Sequence, residues 1–69
     1  MINVVCPTPN VAQEVRDLFG RYGVDLTRVH ELGPQLNDPT IYLVINYTHD
    51  KEAQIRDEIH QKIPGARAQ

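Results

Sequence analysis

Three histidines, one cysteine and nine carboxylates are the residues of this 69-residue chain with the means for metal, nucleophilic or acid–base chemistry. Their spacing argues against each. His30 and Glu31 are neighbours, so on a strand they point to opposite faces. His49 sits with Asp50 at a turn, and His60 falls on a helix outside its apolar row, so the histidines lack a metal-ligand spacing. Cys6 ends a β-branched apolar run with no base or cation near it in sequence, which predicts a small buried hydrophobe and not a nucleophile. Glu14, Asp17, Glu52, Asp57 and Glu58 are interleaved with Arg16, Arg21, Lys51, Arg56 and Lys62. That is the pattern of solvated helix faces, with Glu52–Arg56 and Glu58–Lys62 as i,i+4 pairs worth a few tenths of a kcal/mol each. Tyr42 and Tyr47 have opposite parity on one strand and cannot form a base-stacking platform, and a net charge of −2 gives no basic face for nucleic acid. The feature that remains is the segment Pro7-Thr8-Pro9-Asn10 at the start of a helix. Backbone N–H groups at a helix N-terminus favour an anion such as a free carboxylate. No enzyme chemistry, cofactor or metal is expected.

The elements that must hold this loop are readable from periodicity. Ile2–Cys6 predicts a buried strand, stopped by Pro7 and Pro9. Asn10 stands as the expected N-cap of a first helix, with Gln13 three residues on completing an approximate capping box. Val11, Val15, Leu18, Phe19 and Tyr22 form its apolar stripe, and Gly23 closes it as a left-handed C′ residue. Val24–Leu32 reads as a second strand with imperfect alternation, a bulge near Thr27-Arg28 being one account of it. Gly33-Pro34 and Asn37-Asp38-Pro39 mark a loop. Thr40–Thr48 reads as a central strand, with Ile41, Leu43, Ile45 and Tyr47 on one face. Asp50 or Thr48 is the expected cap of a second helix with Ile55, Ile59 and Ile63 inward, ended by Pro64-Gly65 before a short last strand. The order predicts an α+β fold: a ferredoxin-like βαββαβ sandwich, an antiparallel sheet with two helices on one face.

A chain of 69 residues is one domain, residues 1–69, near the lower size limit for folding without staples. One cysteine allows no intramolecular disulfide, which leaves self-association as the expected reinforcement and fits a reducing, cytoplasmic setting. No apolar run approaches the roughly 20 residues that span a bilayer.

Four short stretches in register resemble the ACT family of small regulatory domains. Pro9-Asn10-Val11-Ala12 stands where that family has Pro-Gly-Val-Leu, and Gly23-Val24-Asp25-Leu26 where it has Gly-Ile-Asn-Ile. Leu26-Thr27-Arg28-Val29 resembles the Leu-Thr-Lys-Ile of the prephenate dehydratase-type regulatory domain, and Ile63-Pro64-Gly65-Ala66 resembles a Leu-Pro-Gly-Val step into the last strand. The resemblance implies a homodimer joined at edge strands, with an amino acid held between the first loop of one subunit and the second strand of the other. Carried over residue by residue, it implies ligand contacts from Pro9, Asn10, Val11, Ala12, Asp25 and Thr27, with Asn10 donating to a carboxylate and Asp25 pairing with an ammonium group. The regulated partner would be a parent or associated enzyme. The chain departs from the pattern where Asn10 replaces the family's glycine, Asp25 its asparagine, and His30-Glu31-Leu32-Gly33 the Glu-Ser-Arg-Pro of the phenylalanine-sensing branch. A phenylalanine site is therefore not implied. A dimerisation module without a ligand is the alternative.

Overall fold

The inward-facing residues of two strands set the architecture. The computed structural model describes residues 1–69, and in it Ile2, Val4 and Cys6 of β1 (Ile2–Cys6) lie directly opposite Ile45, Leu43 and Ile41 of β3 (Ile41–Ile45). All six are buried on one face, as the period of two requires. Against that face pack Ala12, Val15, Leu18 and Phe19 of α1 (Pro9–Arg21), and Ile55 and Ile59 of α2 (Glu52–Lys62) with Ile63 just beyond. These residues, with Val24 and Ala66, form one 15-residue core with no buried polar or charged residue.

The sheet has four strands in the order β2-β3-β1-β4, every neighbouring pair antiparallel, with β2 spanning Val29–Leu32 and β4 Arg67–Ala68. β3 is central, as its two-sided apolar content predicts. Both helices bury their apolar residues on the same side, so the other face of the sheet carries no layer of its own.

Several boundaries differ from the sequence-based expectation, each for a physical reason. α1 is capped by Thr8 and not by Asn10. Thr8 is extended (φ −141°, ψ 159°) and its hydroxyl accepts from the Val11 amide at 3.3 Å. Pro9 then fits the first helical position, where its missing N–H costs nothing. At the other end Gly23 does close the helix: its φ is +75°, its amide donates to Gly20 at 3.1 Å, and the Val24 amide reaches back to Phe19 at 3.0 Å. That pair of hydrogen bonds is the Schellman pattern, with Val24 and Phe19 both in the core.

The expected second strand over Val24–Leu32 is shorter. Leu26–Arg28 forms a 3-10 turn, Leu26 is exposed, and pairing begins only at Val29. A turn, not a bulge, thus accounts for the change of parity. β3 ends at Ile45, short of the expected Thr48. α2 begins after Lys51, which makes no side-chain cap, instead of after Asp50 or Thr48. Its start is tied instead by His49, whose Nδ1 accepts from the Lys51 amide at 3.0 Å, and by Glu52, which accepts from the His49 amide and pairs with the Met1 ammonium.

Candidate functional site

The six residues singled out in the sequence fall into two separate groups. Pro9, Asn10, Val11 and Ala12 form the first turn of α1. Pro9 has no N–H, while the Val11 amide is bound to the Thr8 hydroxyl and the Ala12 amide to the Thr8 carbonyl at 3.1 Å. Asn10 is the residue of this turn whose backbone amide stays unpaired, and its side chain is exposed. Val11 rests half-buried against the core and Ala12 is fully buried.

Asp25 and Thr27 lie at the opposite end of α1. The helix has 13 residues, hence a length of about 20 Å at 1.5 Å per residue. Asp25 caps the 3-10 turn, its Oδ1 accepting from the Thr27 amide at 3.0 Å and from the Thr27 hydroxyl at 2.6 Å. These bonds, side-chain first, hold its carboxyl below the ordinary 3.8. Beside it Tyr47 accepts from the Asp25 amide at 3.4 Å and stacks under Arg28, whose guanidinium carbon is 4.1 Å from the ring centre. A single chain does not bring the two groups together.

Between them runs β2, an outer strand of the sheet with one side unpaired. Glu31 turns to the helix layer and pairs with Arg16 of α1, while His30 faces the other way, as their adjacency predicts. Cys6 is fully buried, and that burial raises its thiol pKa above the ordinary value, the reverse of nucleophile activation. No three His, Cys, Asp or Glu side chains converge. The expected i,i+4 pairs are present, Arg56–Glu52 at 3.6 Å and Lys62–Glu58 at 3.7 Å.

One feature escaped the sequence reading: a cavity of about 430 Å³ at the β2–β3 loop, lined by Leu32, Gly33, Gln35, Asp38, Thr40 and Tyr42. Gln35 and Asp38 exchange backbone bonds of 3.0 and 3.2 Å, which folds the loop back on itself and leaves Leu36 at its tip. Asp38 Oδ1 accepts from the Thr40 amide at 2.9 Å. Hydrogen bonding to the Thr40 side chain and then to its amide keeps this carboxyl below 3.8, ionised at neutral pH. The turn residues announced a loop, but only the Gln35–Asp38 pairing makes it a cup. No helix is long and apolar enough to cross a membrane. Comparison of the chain with protein families, curated proteins and solved structures yields no match.

Proposed function

We propose that this chain is a non-catalytic regulatory domain of ACT-like character, with a ferredoxin-like fold, that pairs through β2 and holds an amino acid between two copies. The strand order and the placement of both helices on one face support the fold reading. The observation that carries the functional reading is the split of the candidate residues to the two ends of α1, with an unpaired strand edge beside them. Two copies joined antiparallel along β2 bring the Asn10 end of one to the Asp25 end of the other. Asn10, with an exposed side chain and a free amide, then meets the ligand carboxylate, and Asp25, kept ionised, meets its ammonium group. The fully buried cysteine is in keeping with a reducing, cytoplasmic setting, and the regulated partner is an enzyme attached to or recruited by the pair.

The alternative, a pairing module without a ligand, has one observation of its own. Asp25 already spends Oδ1 on Thr27, so its present hydrogen bonds explain it without a ligand.

Thermal unfolding with each common amino acid added separately separates the two. A ligand at about 100 times its dissociation constant adds roughly 2.7 kcal/mol, and each kcal/mol moves a domain of this size by about 4–8 °C. A rise with one amino acid, lost in Asn10→Ala, supports the sensor. A flat panel leaves the pairing module.

A further inference from the structure

The uncovered face of the sheet is composed of two cross-strand rows. The registers align His30, Val44, Asn3 and Gln69 in one row and Leu32, Tyr42, Val5 and Arg67 in the other. Leu32 is 60% and Tyr42 41% exposed, and the two are cross-strand neighbours, so two large apolar side chains lie side by side on this face. Amid these residues the Asn3 Oδ1 is shielded from solvent yet has no hydrogen-bond partner. The second row also has charge at both ends. At the β2 end is the loop cavity with ionised Asp38, and at the β4 end is Arg67, exposed and without an ion pair in its own chain. The two lie at opposite edges of the sheet and cannot meet within one molecule.

We propose that this face docks a second copy of the chain, sheet on sheet, about a two-fold axis parallel to the strands, with the partner's Arg67 entering the loop cavity above Leu32 and Tyr42. Such an axis reverses the strand order and keeps the position along each strand. Leu32 then faces the partner's Arg67, Tyr42 faces the partner's Val5, and His30 faces the partner's Gln69. Sheets pack about 10 Å apart, a gap that an extended arginine bridges, and its guanidinium meets Asp38 in both halves of the isologous contact. Asn3 lies in an inner strand and faces the partner's Val44. A standard interface takes about 800 Å² from each partner, under a fifth of the 4404 Å² exposed by this chain. The surface is distinct from the β2 edge: this contact alone closes a dimer, whereas both together, with the partner's β2 lying over β4, propagate into an open chain.

Sedimentation equilibrium of the whole chain tests it. Arg67 has no intrachain ion pair, so Arg67→Glu leaves the unfolding midpoint unchanged at protein concentrations where the chain is monomeric, while weakening self-association roughly tenfold or more. Arg67→Lys retains most of the association, and Leu32→Glu, at a position already exposed, weakens it as Arg67→Glu does. Val29→Lys acts on β2 instead, and because Val29 packs half-buried against the core, its mass is read with the fold verified by circular dichroism. Loss of mass with Arg67→Glu but not with Val29→Lys supports the face contact and removes the edge pairing. Loss with Val29→Lys alone overturns the face contact, and a wild-type chain that stays monomeric, or Arg67→Glu at full wild-type mass, overturns it as well.

Discussion

Two glycines of this chain should respond oppositely to the same substitution, and the contrast tests the loop geometry on which the cavity depends. Gly33, at the end of β2, has φ +90°, and a Cβ placed there would sit 2.5 Å from the Thr40 carbonyl oxygen. The left-handed conformation costs an L-residue roughly 1–2 kcal/mol, and forcing a methyl group into occupied space adds about 1–3 kcal/mol. Because the obstacle is backbone at the entry to β3, relief requires the β2–β3 connection to open. Gly33→Ala should therefore lose about 2–5 kcal/mol, a large share of the roughly 0.05–0.15 kcal/mol per residue that holds a domain together. At about 4–8 °C per kcal/mol the midpoint should fall by more than 8 °C. Gly20 lies within α1 on its exposed side, with nothing within 4 Å of an added Cβ. Gly20→Ala should gain about 0.5–1 kcal/mol from helix propensity and a less flexible unfolded chain. Thermal unfolding followed by far-ultraviolet circular dichroism reads both. A Gly33→Ala midpoint equal to that of wild type would refute the close approach of Gly33 to Thr40, and with it the shape of the cavity.

Thr8→Ala should cost about 1 kcal/mol in urea unfolding through loss of the α1 cap, whereas Asn10→Ala, inside the first turn, should cost almost nothing; the reverse order would restore Asn10 as the cap. Stability should also fall at both pH extremes through one contact, the 2.6 Å bond from the Tyr22 hydroxyl to Glu58 that joins α1 to α2. Glu58 is held below its ordinary 4.5, first by that bond, so its contribution is complete above 4.5 and lost as pH falls through the lowered value. Tyr22 is raised above 10.0 by the same bond, so its contribution is complete below 10.0 and lost as pH climbs through the raised value. Asp25, Asp38 and Glu52, also held low, add to the acid limb. Tyr22→Phe should reduce both limbs, with an alkaline remainder from Cys6, whose thiol is also raised above 9.0 by burial; an unchanged alkaline limb in that variant would refute the assignment.

The sequence was most legible where burial enforces a pattern. β1 and β3 have one face sealed by helices, so Ile2, Val4, Cys6, Ile41, Leu43 and Ile45 had to alternate, and they do. β2 is an outer strand with three of its four residues exposed, and nothing compels its alternation, which is why a turn at Leu26–Arg28 passed for strand. Thr8 and Asn10 are both good capping residues; Pro9 between them decides the matter, because it belongs at the first helical position and not inside the helix. The start of α2 was illegible for a different reason. Part of its support comes from Met1, whose ammonium pairs with Glu52 and whose carbonyl accepts from Arg56 at 2.6 Å, partners too distant in sequence for any local rule to find. The loop cavity likewise depends on Gln35 and Asp38 pairing across two residues, a geometry that turn composition permits but does not specify.

Where the candidate ligand residues lie also constrains how ligand and pairing must be coupled. With the halves of the site at opposite ends of a 13-residue helix, a small amino acid cannot span them within one molecule. Binding must then follow or accompany pairing, and linkage makes the effect reciprocal: a ligand that binds the pair more tightly by some factor tightens the pairing by that same factor. The thermal shift produced by a fixed ligand concentration should consequently grow with protein concentration, since pairing is populated by mass action. Val29→Lys, which puts a charge into β2 where Val29 packs half-buried against the core, should abolish the shift in a variant shown by circular dichroism to remain folded, even though it touches none of the proposed ligand contacts. A shift independent of protein concentration and intact in Val29→Lys would mean that one chain binds alone. The loop cavity between Leu32 and Tyr42, and not the ends of α1, would then be the place to look for the ligand.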